Sequence, residues 1–76
     1  MTLHEIAAYR TADEQTRREI ERCIDSLPDP QTREMFRLHF IEGMSYSRVA
    51  ERLGGGMSRE CVYSRIHRCA KRHCCN

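Results

Sequence analysis

Apolar residues along the 76-residue chain recur at spacings of three and four, and nowhere alternate as they would in a half-buried strand. The first group is Leu3, Ile6 and Ala7, and the second is Ile20, Cys23, Ile24 and Leu27. Between them the stretch RTADEQTRRE is entirely surface-like. Thr2 with Glu5, and Thr11 with Glu14, have the spacing of capping boxes. The pattern therefore predicts either two short helices or one long helix weakened near Thr11. A helix with apolar ends and a charged waist cannot bury itself along its whole length. Residues 18–27 are expected to pack on the body, and residues 3–9 to be mobile or to meet a second chain.

Pro28 ends this first unit, since its ring forbids continuation and disfavours helical geometry at Leu27. Asp29 is placed to cap the next helix, with Pro30 in its first turn. That helix carries Met35, Phe36, Leu38, Phe40 and Ile41, a wide apolar face, and Gly43 is positioned to stop it. Ser45 then caps a short helix with Val49, Ala50 and Leu53 on one face, which Gly54 ends. Ser58 caps the last helix, whose apolar stripe is Val62, Ile66 and Cys69, extending to His73. Gly54, Gly55 and Gly56 fall in the joint between these two helices. Ala50 is small where the second helix would cross the first, so the pair reads as a helix-turn-helix with a lengthened turn, anchored by Met57. A phosphate-binding loop would need a preceding strand and a GK[ST] ending, and neither is present. The expected fold is all-α, with four to five helices and a C-terminal helix-turn-helix. Residues 1–27 form an N-terminal segment for packing or dimerisation, and residues 28–76 the helix-turn-helix domain.

Length confines the chain to one small domain, near the lower limit at which a core holds without staples or a partner. Charge is distributed unevenly. Residues 1–57 carry eight arginines and ten acids, whereas residues 58–76 carry Arg59, Arg65, Arg68, Lys71 and Arg72 against Glu60 alone. A basic C-terminal helix is the electrostatic footprint of a polyanion partner, although basic residues there also complement the helix dipole. With Val62 and Ile66 facing inward, Glu60, Ser64, His67 and Lys71 face outward, flanked by Tyr63 and Arg68. This set suits a DNA major groove. Arg59 and Arg68 reach phosphates or guanine edges, Glu60 accepts from cytosine, and Tyr63, Ser64 and His67 donate or accept. Arg65 and Arg72 lie nearer the core edge and suit backbone contacts. The competing reading is a solvated polar face.

Catalysis is not expected. His4, His39, His67 and His73 are dispersed, none is paired with a cysteine as base and nucleophile, and His39 reads as a core-edge residue. The five cysteines, an odd number, suit free thiols in a reducing cytoplasm. Cys69, His73, Cys74 and Cys75 invite a metal reading, but adjacent Cys74 and Cys75 do not easily face one ion and there is no CxxC pair, so neither metal nor cofactor is expected. A secretory signal and a membrane span are likewise not expected.

Residues 27–72, LPDPQTREMFRLHFIEGMSYSRVAERLGGGMSRECVYSRIHRCAKR, resemble region four of the sigma-70 family, the helix-turn-helix that reads the promoter −35 element. GMSYSRVAERLG and SRE carry most of the likeness. The resemblance implies that Arg59 and Glu60 meet base edges or phosphates, with Tyr63 and Ser64 one turn on. The glycine turn is about two residues longer than in sigma factors proper, as in the small sigma-like proteins of phages and mobile elements that the chain also resembles. Nothing in it resembles region two, which implies a stand-alone regulator rather than a complete sigma factor. The implied partners are double-stranded DNA and RNA polymerase; separately, two half-sites would strengthen a weak single-helix contact, and a homodimer through Leu3, Ile6 and Tyr9 would provide them. The alternative is a phage-type inhibitor that uses the same fold to bind a host protein, RNA polymerase or a defence nuclease.

Overall fold

The computed structural model describes residues 1–74, with side chains as far as His73. Five α-helices follow one another, with no strand among the described residues: α1 (Leu3–Ala7), α2 (Glu14–Asp25), α3 (Pro30–Phe36), α4 (Tyr46–Leu53) and α5 (Arg59–Cys69). A 3₁₀ turn, Tyr9–Thr11, joins α1 to α2, and π-helical turns extend α3 over Arg37–Ile41 and α5 over Ala70–Cys74.

Local chemistry accounts for most of the helix starts. Thr2 and Glu5 close a capping box on α1. The Asp29, Ser45 and Ser58 side chains accept from the backbone N–H groups of Thr32, Arg48 and Cys61, at 3.2 Å each. The start of α2 differs from the Thr11–Glu14 expectation. Asp13 is the cap, accepting from the Thr16 N–H at 2.8 Å, while Thr11 belongs to the 3₁₀ turn and donates its hydroxyl hydrogen to the Ala8 carbonyl at 3.1 Å. The charged waist of α2 has its own task here. Arg17 donates to the carbonyls of Tyr9 and Arg10, at 3.1 and 2.8 Å, and fastens the turn to the helix.

The core is one cluster drawn from every helix, with Ile6, Ile20, Ile24, Met35, Phe36, Val49, Val62 and Ile66 fully buried. Residues 18–27 pack on the body as the spacing predicts, through Ile20, Ile24 and Leu27. Residues 3–9 depart from expectation. Ile6 has no exposed surface, Leu3 packs against the same cluster, and Tyr9 is half-buried with its hydroxyl donating to Glu21. The 3₁₀ turn folds α1 back onto the body, so that of the side chains expected to join two chains Ile6 is buried within one and Leu3 and Tyr9 are partly covered.

The wide apolar face of α3 is made possible by its π turn. The Glu42 N–H donates to the Arg37 carbonyl, five residues back, at 3.0 Å. A wider turn rotates the chain less per residue, and Leu38 and Phe40 both remain in the core while His39 emerges at its edge. Gly43 ends this element with φ of 80°, and the Arg10 guanidinium lies where a side chain at Gly43 would be. At the joint between α4 and α5, Gly54 has φ of 70° and ψ of −158°, a conformation open only to glycine, and Met57 is half-buried against the core. The apolar stripe of α5 also differs at its end. Ala70, not His73, continues it, because the helix widens into a π turn after Cys69 and leaves His73 exposed.

Two substitutions test this packing. Ile6→Ala is expected to lower the unfolding free energy by about 2–5 kcal/mol, seen as a lower urea midpoint; an unchanged midpoint would detach α1 from the core. Ala50→Leu places extra volume at the buried α4 surface and is expected to cost about 1–3 kcal/mol, whereas full stability would contradict a close α4–α5 crossing. The Asp29 carboxylate is held below the ordinary range, chiefly because the Thr32 hydroxyl donates to it, with burial opposing and the Thr32 N–H assisting. Its contribution is thus present above the ordinary carboxylate pKa and disappears as pH falls through the lower folded value. Asp29→Asn is expected to be less stable than the parent at neutral pH, with the gap closing in acid; parallel unfolding curves across that range would contradict the assignment.

Candidate nucleic-acid interface

The helix α5 is held from one side only. Val62 and Ile66, fully buried, face α4 and α3, and Ala70 extends this contact. Geometry at about 100° per residue then divides the rest of its surface into three strips. Glu60, Ser64 and Lys71 point away from the body and are exposed. Tyr63 and His67 form the flank beside α4, and Arg65, Arg68 and Arg72 the flank beside the start of α3. Six of the seven residues singled out from the sequence, Glu60, Tyr63, Ser64, His67, Arg68 and Lys71, therefore lie on one continuous helix surface, and Arg59 joins it from the first turn, beside Glu60. All are exposed except His67, which is half-buried.

The two flanks differ in chemistry and in constraint. On the aromatic flank the Tyr63 and His67 rings stack, with centroids 4.0 Å apart and planes 28° from parallel. Tyr46, the first residue of α4, meets Tyr63 edge to face at 5.3 Å and 79°. Behind it His39 stacks on Tyr46 at 4.1 Å and 17°, and meets Phe40 edge to face at 4.7 Å. The His39 Nδ1 lies 2.7 Å from the Met44 carbonyl oxygen, to which it donates. Such arrangements are the ones aromatic quadrupoles favour. Burial pushes the Tyr46 phenol above its ordinary pKa, with the neighbouring Tyr63 adding to the effect. Between the first turns of α4 and α5 lies a groove of about 480 Å³, lined by Ser45, Tyr46, Ser47, Arg59, Glu60, Tyr63 and Ser64.

On the arginine flank, Arg65 is engaged with the start of α3, donating to the Gln31 side chain and lying 3.7 Å from an Asp29 carboxylate oxygen. It acts as a brace between α5 and α3, a role its sequence position near the core edge did not reveal. Arg65, Arg68 and Arg72 line a second groove, against Pro28, Asp29 and Thr32, in which Arg68 and Arg72 are exposed. At the start of α5, Arg59 Nε lies 3.3 Å from Glu60 Oε2, with both side chains mostly exposed. An exposed pair of this kind is weak and opens readily to another partner. Glu60 is held below the ordinary carboxylate range, first by its own backbone N–H and then by Arg59, so it is an ionised acceptor at neutral pH.

Sequence reasoning did not reach His39 or Tyr46 as parts of this surface. The i, i+4 spacing of Tyr63 and His67 was visible, but Tyr46 joins them only across the α4–α5 packing, and His39 only through the π turn. No group of three or more His, Cys, Asp and Glu stands together to hold a metal among the described residues. The Cys74 side chain and Cys75, which entered the metal reading, lie outside those described. Burial raises the Cys69 thiol pKa, with Asp29 and Cys23 adding to the effect. No helix among the described residues is long and apolar enough to cross a membrane.

No curated protein and no solved structure matches the chain. The family model described as Sigma-70, region 4 matches residues 17–74, a span that begins within α2 and contains α3, the α4–α5 pair and the entire arginine and aromatic surface. With that match over most of its length and the helix-turn-helix geometry at its end, the chain belongs to the sigma-70 region 4 family.

Proposed function

We propose that the protein is a transcriptional regulator that binds double-stranded DNA in a sequence-specific way, with α5 as the helix that enters the major groove. The observation that carries this reading is the surface of α5. Its inward stripe is locked into the core, and its remaining surface carries Arg59, Arg68, Lys71 and Arg72 interleaved with base-reading side chains. In this reading Glu60, Ser64 and His67 address base edges, Arg59 addresses a guanine or a phosphate, and Arg68, Lys71 and Arg72 neutralise the backbone. The protein acts in the cytoplasm beside RNA polymerase, as its family suggests, without metal, cofactor or catalytic chemistry. Of the residues expected to join two copies, Ile6 is spent on the core, while Leu3 and Tyr9 keep part of their surface for a second copy.

The rival role, an inhibitor that grips a host protein, calls for an exposed apolar or aromatic centre ringed by polar groups. Among the described residues Tyr63 is the one large apolar side chain that is exposed, and a single ring is too small for such a centre, while Arg59, Arg68, Lys71 and Arg72 make the rest of the α5 surface basic. The surface therefore favours a polyanion.

A binding titration against a random-sequence duplex pool, at low and at physiological salt, with sequencing of the retained DNA, tests the reading. An enriched motif is expected, with affinity falling steeply as salt rises. Arg68→Ala and Lys71→Ala are each expected to reduce the slope of log K against log salt by about one, as for loss of one phosphate contact. Weak binding without an enriched motif, and slopes unchanged in both variants, would overturn it and favour a protein partner.

A further inference from the structure

Tyr63 is about half exposed, at 49%, on a helix face otherwise made of charged and hydrogen-bonding groups. Its hydroxyl can meet a polar base edge, but the carbon face of the ring has no counterpart among such edges. It is also held firmly. His67 covers one side of the ring, Tyr46 abuts it from α4, and His39 supports Tyr46 from behind, itself tied to the Met44 carbonyl. The rings continue through Phe40 to Phe36, which is fully buried. The orientation of Tyr63 is therefore set from the core, not left to solvent.

Of the groups that base pairs present in the major groove, the apolar one is the C5-methyl of thymine. We infer that Tyr63 forms, with Tyr46, an apolar corner that receives a thymine methyl group, and that His39 is the positioning residue that keeps this corner in place. The inference rests on the DNA-reading function proposed above and assigns one base contact within it. Ser64 and Glu60, beside the corner in the same groove, are placed to hydrogen-bond the neighbouring base edges while the ring takes the methyl. His39 lies behind Tyr46, away from the groove lining, so its influence on DNA passes through the stacked rings.

The test uses the DNA sequence enriched by selection, with each thymine replaced singly by deoxyuridine, which removes the methyl and leaves base pairing intact. At one position the replacement is expected to weaken binding about fourfold, the factor carried by burying one methyl-sized group. Tyr63→Ala should abolish the difference between dT and dU at that position while leaving the salt slope unchanged. His39→Leu should shrink the same difference, and His39→Phe, which keeps a ring against Tyr46, should restore it; thermal melts of each variant confirm that it is folded. A motif in which every thymine tolerates uracil would overturn the methyl contact and leave the DNA-reading function standing. A pool with no enriched motif would overturn both. A dT-to-dU difference that survives His39→Leu would overturn the positioning role alone.

Discussion

Two fully buried side chains one turn apart, Val62 and Ile66, attach α5 to the rest of the molecule. A helix of eleven residues has little intrinsic stability in water, so α5 exists as a helix because this stripe is covered by α3 and α4. The same stripe fixes its rotation. Once Val62 and Ile66 are inward, the directions of Glu60, Tyr63, Ser64, Arg68 and Lys71 are no longer free. In a small domain every helix must contribute to one core, and α1 is drawn in as well, with Ile6 completing the cluster.

That attachment gives α5 two unlike edges. Beside α3 the edge is cationic, and Arg65 is used as an internal brace to Gln31 and Asp29, leaving Arg68 and Arg72 toward solvent. Beside α4 the edge is aromatic and mechanically continuous with the core through Tyr46 and His39. An extended cationic groove can adapt to a flexible phosphate chain, since long arginine side chains retain freedom. A stacked ring system cannot adapt in this way and suits a contact that must discriminate. On the proposed reading, the division of labour between affinity and specificity corresponds to these two chemically unlike edges of a single helix.

The π turn over Arg37–Ile41 is the local irregularity on which the aromatic edge depends. It keeps Leu38 and Phe40 in the core and brings His39 out beside Tyr46, and wide turns of this kind recur where a helix has been fitted to a task. The glycine-rich joint has a simpler role. Gly54, Gly55 and Gly56 all adopt positive φ, and no neighbouring atom lies close enough to exclude a side chain there. They are required by the path of the backbone alone, which must reverse between Leu53 and Arg59 while Met57 returns to the core.

By itself the amino-acid sequence determined the helices from Pro30 onward, their caps at Asp29, Ser45 and Ser58, the glycine turn, the inward stripe of α5 and the outward set that follows from it. Those features depend on residues three or four apart, and short-range spacing records them directly. It misplaced the α2 cap, because Thr11 and Asp13 both offer a capping oxygen and only the path of the 3₁₀ turn chooses between them. It left α1 outside the core, because a charged waist conceals that Arg17 fastens the turn which folds Ile6 inward. It carried the α5 stripe to His73, because a regular helical period does not register a wider turn. Tertiary structure alone decided the pairing of Arg65 with Gln31, thirty-four residues away, and the line of rings from Phe36 through His39 and Tyr46 to Tyr63. Those contacts join separate helices, and their geometry is set by the shape of the shared core, which no single segment of the chain contains.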